Sequence, residues 1–272
     1  MMGKLIKYDF RSCWKKFWPI WSALIILSAV NGLSLVYCER TGNFGFTVNA
    51  LPKLLLGGAG MAAFVIAIIY VCDEFYHGLL GEPGYLMFTL PVKEEELIGS
   101  KAVTALILEI ISGAVVVLCA ILILSISYPE GLTEILNDIR TFLAECDNVP
   151  LAGAFVLEVL VFALCTAVTF NFHIYAGISL GHLAQKNRKI AAAAAFILLC
   201  ILSVFLLTRV AVPLLNLIYD HDQPWNSTEW SAGTLTSMKE TGVLIAGELV
   251  YTVLLFLVTR GILKKRLNLS AA

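Results

Sequence analysis

Six apolar stretches, each close to the length of a bilayer crossing, occupy more than half of the chain and dictate its solvent. They run over Trp18–Tyr37, Leu54–Cys72, Ala102–Ile126, Leu151–Leu180, Ile190–Thr208 and Gly242–Val258. A hydrocarbon core about 30 Å thick takes about 20 helical residues, and the longest runs leave room for tilt. Backbone polar groups cannot be left open in lipid, so such runs cross as helices. The expected fold is an all-α integral membrane protein of six transmembrane helices forming a single domain over 1–272. The first run is longer than a signal-peptide core and follows a lysine-rich leader, so it reads as a retained helix.

Composition agrees. Hydrophobic residues make up 59% of the chain and charged residues 14%, against about 25% charged in soluble domains. The formal net charge of −1 gives no basis for nucleic-acid binding. The distribution of basic residues says more. Lys4, Lys7, Arg11, Lys15, Lys16, Lys93, Lys101, Lys186, Arg188, Lys189, Arg260, Lys264, Lys265 and Arg266 fall on one side of a six-span layout. Only Arg40, Lys53, Arg140, Arg209 and Lys239 fall on the other, with most of the loop acids. Basic residues concentrate on the cytoplasmic side, so both termini are expected in the cytoplasm. The seven cysteines have no CxxC spacing and read as small apolar residues. Cys38 and Cys146 fall on the same expected outer side, where a disulfide is permitted.

Outside the spans, residues 1–17 place Ile6, Phe10, Cys13, Trp14 and Phe17 on one helical sector and Lys4, Lys7, Arg11 and Lys15 on another. This pattern predicts an amphipathic helix in the membrane interface, with Pro19 turning the chain into the first span. The outer segment 127–150 predicts a short amphipathic helix around Leu132–Leu143. Within 209–242, Val210–Tyr219 is apolar but short and interrupted by Pro213, which suggests a re-entrant or interfacial piece. Gly57, Gly58, Gly60, the Gly177/Gly181 pair and the alanines at 191–195 offer smooth faces for close helix packing. The inner segment 73–101 is too apolar for a plain linker: Leu79, Leu80, Tyr85, Leu86, Met87, Phe88 and Leu90 need cover from membrane, bundle or partner. After Pro91, Glu94, Glu95 and Glu96 occupy the first turn of the next helix, where carboxylates favour the dipole.

Ionisable groups within apolar spans are costly and carry functional expectations. Counting along the helices puts Glu109 and His173 at similar depth, so Glu109 is expected to pair with His173 or Asn171. Glu158, Glu248 and Arg209 fall in the outer third, where an acid–arginine pair is expected. Asp220-His221-Asp222 reads as a solvated loop and Glu74 as a solvated or docking residue; no metal site is expected. The chain shows no GxxxxGK[ST] phosphate loop and no convincing catalytic constellation, so it is not expected to be an enzyme.

The stretch from Gly84 through Leu90-Pro91-Val92, Glu94–Glu96 and Gly99-x-Lys101 resembles the inner loop of ABC-2 type transporter permeases. The six spans and amphipathic start also look like that family, while Lys93 and the acidic run depart from it. The resemblance implies a cytoplasmic coupling helix between spans two and three, around 78–92. Tyr85, Leu86, Phe88, Leu90, Pro91, Glu94, Glu95 and Glu96 would form the ATPase-docking set. It further implies an ATP-driven exporter working with a cytoplasmic ABC ATPase subunit, which holds ATP-Mg, and with a second permease copy, the same or related. No cofactor is expected in this chain itself. Membrane lipid is the surrounding partner, and the expected location is the cell membrane, multi-pass, in a bacterium. The alternatives are a secondary transporter, for which no broken-helix repeat is visible, or an intramembrane enzyme.

Overall fold

A computed structural model describes residues 2–42, 45–80, 94–128, 130–145, 148–184, 187–218 and 230–267. Among these the chain is helical, with no strand. The α-helices are α1 (Met2–Thr41), α2 (Leu51–Phe75), α3 (Glu94–Ser127), α4 (Gly131–Glu145), α5 (Val149–Gly181), α6 (Arg188–Leu206), α7 (Val212–Ile218) and α8 (Trp230–Leu267). Six helical stretches are long and apolar enough to cross a membrane: Met2–Thr41, Val48–Phe75, Glu95–Ser127, Val149–Gly181, Arg188–Leu215 and Ser237–Lys264. Most of their apolar side chains face outward; in the fifth stretch none of the most apolar window is buried within the chain. Water would not tolerate that exterior, and lipid does. The chain is a multi-pass membrane protein by this measure.

Two compact units divide it: residues Met1–Val71 with Val103–Glu145, and Cys72–Ala102 with Cys146–Ala272. In the first unit, α1 buries Asp9, Cys13, Phe17, Trp21, Leu24 and Ser28, a stripe at three- and four-residue spacing. Cys13, Phe17 and Trp21 cluster with Tyr70 and Leu108. Cys13 Sγ lies 2.6 Å from Tyr70 Oη, and Trp21 Nε1 donates to Ser112 Oγ at 3.2 Å. At the other end of this helix, a Cβ on Gly32 would stand 3.0 Å from Ile126 Cβ, so glycine permits close approach of α1 to α3.

The basic sector of 2–17 is exposed and helical, as expected. The turn expected at Pro19 is absent: α1 runs unbroken through it for 40 residues, about 60 Å at 1.5 Å per residue. Proline forfeits one backbone bond, but the buried stripe continues on both sides of it, and that packing holds the helix together. Ser22 Oγ also donates to Pro19 O at 2.9 Å.

The amphipathic helix expected around Leu132–Leu143 appears as α4, with Ile135, Leu136 and Ile139 exposed on its apolar face. The segment after span five is different from expectation. Instead of a separate re-entrant piece, α6 continues through a π-helical turn, Leu207–Ala211, into α7. Pro213 explains the widened turn, because a proline ring clashes with the carbonyl four residues back and offers it no donor. The same arrangement recurs where the π-turn Phe46–Ala50 precedes Pro52 at the start of α2. The last helix also begins earlier than the apolar run, at Trp230. The polar stretch 219–229 lies outside the described residues.

In the second unit α5 packs against both α6 and α8. A Cβ on Gly181 would fall 2.3 Å from the Ala192 backbone, and one on Gly177 would fall 3.2 Å from Phe196 Cα. Gly181 therefore meets the alanine face of α6, and Gly177 meets Phe196 one turn further on. Asn187 makes the tight link between them, with φ of 56°, a left-handed conformation that asparagine tolerates better than most side chains. By contrast, Gly57, Gly58 and Gly60 of α2 meet nothing within 4 Å.

Candidate functional site

Two groups of polar side chains stand out, both within the second unit. The first brackets the segment between α2 and α3. Lys101 Nζ, six residues into the third crossing, binds Glu74 Oε1 at 2.5 Å, with side-chain exposures of 3% and 24%. Gly78 makes room for this lysine: a Cβ there would lie 3.2 Å from Lys101 Nζ. Immediately after Glu74, Phe75 stacks on Tyr175 of α5 with ring centres 4.3 Å apart, and Tyr76 stacks on His182 at 5.8 Å. Across the loop, Glu95 Oε1 receives Arg260 Nη2 of α8 at 2.6 Å. Both ends of the loop are thus pinned to α5 and α8.

Of the expected docking set, Tyr85, Leu86, Phe88, Leu90 and Pro91 lie outside the described residues. Glu94 begins α3, Glu95 is the partner of Arg260, and Glu96 is half-buried in the first turn. Glu74, read from sequence as solvated or docking, is instead the counter-ion of Lys101.

The second group forms a seam between α5 and α8. Thr166 Oγ1 stands 3.1 and 3.2 Å from the two carboxyl oxygens of Glu248. Thr169 and Thr252 share a hydroxyl contact of 2.7 Å. His173 Nδ1 lies 2.9 Å from Thr169 O, and its Nε2 lies 3.3 Å from Tyr251 Oη. A carbonyl only accepts, so Nδ1 carries the proton; in the neutral ring Nε2 then accepts from the tyrosine. Tyr251 Oη also reaches Leu199 O of α6 at 3.4 Å. These bonds tie three helices together inside the apolar span.

Beside the seam, α5, α6, its π-turn and α8 border a half-open cavity of about 630 Å³. Its walls are mostly apolar and aromatic, with Phe162, Phe170, Val204, Leu207 and Leu244. Thr166, His173, Ser203, Glu248 and Tyr251 supply the polar atoms.

The sequence-expected intramembrane groups are distributed as follows. His173 takes its own helix and Tyr251 as partners. Asn171 is buried on the same helix, α5, and Glu109 is half-buried on α3 in the first unit. Among the described residues no ion pair joins Arg209 to Glu248 or Glu158, whereas Lys101–Glu74 and Arg260–Glu95 do form. Arg209 is exposed on the π-turn. Glu248 takes the Thr166 hydroxyl instead, because α5 presents threonine where the acid arrives. Glu158 borders a separate shallow depression with Met238 and Lys239. The threonines and Tyr251 were overlooked in the sequence. Their signal was there: Thr166, Thr169 and His173, and Glu248, Tyr251 and Thr252, recur at helical spacing.

Among the described residues no cluster of His, Cys, Asp and Glu is fit to hold a metal. Cys13, Cys38, Cys72, Cys119, Cys165 and Cys200 form no disulfide among the described residues, and Cys146 lies outside them. Comparison with protein families, with curated proteins and with solved structures finds no match.

Proposed function

We propose that this chain is the membrane-spanning subunit of an ATP-driven exporter of the ABC-2 type. A separate cytoplasmic ATPase would bind the loop between α2 and α3, and its nucleotide-driven closure would move the crossing helices. The observation that carries this reading is the bracing of the loop. Glu74–Lys101 ties its two flanking helices to each other, and the two aromatic stacks and Glu95–Arg260 link them to α5 and α8. A load applied to the loop therefore has rigid paths into the helices that line the cavity. The apolar sequence of 85–90 fits a docking surface, and the distribution of lysine and arginine favours a cytoplasmic loop and termini. In this reading ATP-Mg sits on the partner, and a second permease copy completes the translocation path across a bacterial plasma membrane.

The test is co-expression with an ABC ATPase encoded beside this chain. The expected result is a purified complex of fixed stoichiometry whose ATP hydrolysis depends on this subunit. Leu86→Glu with Phe88→Glu is expected to cut complex recovery at least tenfold while leaving the chain folded in the membrane. Substrate movement by the chain alone, unaffected by that double substitution, would favour a secondary transporter and overturn the proposal.

A further inference from the structure

The cavity between α5, α6 and α8 has a composition that selects a ligand. Its volume, about 630 Å³, falls inside the range of roughly 300–1,000 Å³ common to sites for drug-sized molecules. Its lining contains one carboxyl side chain, Glu248, and neither lysine nor arginine. A carboxylate offers about four acceptor positions. Among the described residues its hydrogen-bond donor is the single Thr166 hydroxyl, which also faces Phe162 O at 3.0 Å. One proton cannot satisfy that demand, so the carboxyl keeps acceptor capacity at the cavity wall, and a bound cation would favour its ionised form. Phe162, Phe170 and Tyr251 add ring faces that attract cations. Leu207, Val210 and Ala211 of the π-turn form part of the wall, and such turns often mark functional sites because they break the regular helix surface.

We propose that this cavity binds a lipophilic organic cation, with Glu248 as its counter-ion. Charge complementarity selects the class: an anion would meet Glu248 with no compensating base, and a neutral acyl chain would leave the carboxylate unanswered. The apolar and aromatic walls take the body of the molecule, and Glu248 takes its charge. This rests on the transport reading, for which it names a substrate class, yet binding to this chain needs no ATPase. Failure here would leave the ATPase complex intact, and failure to form that complex would leave binding measurable.

The experiment uses the full chain in nanodiscs of zwitterionic lipid, with empty discs subtracted. The probes are radiolabelled tetraphenylphosphonium and tetraphenylborate, ions of similar size and opposite charge. Saturable phosphonium binding is expected, with borate at least tenfold weaker. Glu248→Gln should weaken phosphonium binding at least tenfold, Ala211→Trp should abolish it by filling the cavity, and Glu158→Gln should leave it within twofold. Equal binding of the two ions, no saturable phosphonium binding, or equal losses from the two glutamine substitutions would overturn the proposal. The comparison of ions needs no variant, so it stands even if a substituted chain does not fold.

Discussion

Lys101 is a lysine with almost no exposed side chain, and its ammonium is stable there because Glu74 answers it. Removing one member of a buried pair costs more than the pair contributes, because the remaining charge is stranded. Lys101→Met is therefore expected to destabilise the detergent-solubilised protein by roughly 3 kcal/mol, the low end for buried pairs, since Glu74 keeps some solvent contact. The double substitution with Glu74→Gln should recover much of that loss. Thermal unfolding of the two single variants and the double variant checks this. A Lys101→Met loss no larger than that of an exposed lysine such as Lys53 would show that the pair is not structural. Gly181 makes a second residue-scale case. Its missing Cβ would overlap the Ala192 backbone, and two backbones yield less readily than a side-chain tip. Gly181→Ala is expected to cost about 1–3 kcal/mol. Gly58→Ala, where the space is open, should stay within about 0.5 kcal/mol. Only the glycine spacing was legible in advance; which glycines were packed depended on where α6 came to lie.

At the scale of elements, the sequence foretold six helices of crossing length and the amphipathic helix α4 because hydropathy and its period act locally. It misjudged both prolines within helices. Pro19 was expected to turn the chain, and Pro213 to separate a short piece from span five. Packing across Tyr70 and Leu108 carries α1 past the first, and a π-turn absorbs the second. The π-turn should be a weak point of its helix, with poorly aligned bonds and one donor missing. In hydrogen–deuterium exchange, amides of 207–212 are expected to exchange faster than those of 195–203. Pro213→Ala should slow them by restoring a regular turn. Unchanged exchange in that variant would mean that something other than the proline imposes the wide turn.

For the whole molecule, orientation is the property on which the transport proposal turns. A membrane-impermeant maleimide applied to intact cells, with a chain lacking its native cysteines, reads it directly. Cysteine at Lys53 is expected to label from outside. Cysteines at Gly3 and Lys264 should label only after the membrane is opened. Labelling of Gly3 from outside would reverse the arrangement and remove the inner loop from reach of a cytoplasmic ATPase.

The linear chain by itself determined the apolar solvent and the number of helices long enough to cross it, because each depends on composition summed over a short window. It also marked Glu248 and His173 as groups that lipid would not tolerate alone. Tertiary structure alone decided their partners. Arg209 was near in the expected layout, yet Thr166 receives Glu248; Tyr251 receives His173; and Glu74 leaves solvent to hold Lys101. Hydrogen bonds and ion pairs act over about 3 Å, far less than the uncertainty in how two helices rotate against each other, so pairing is settled only when the helices dock.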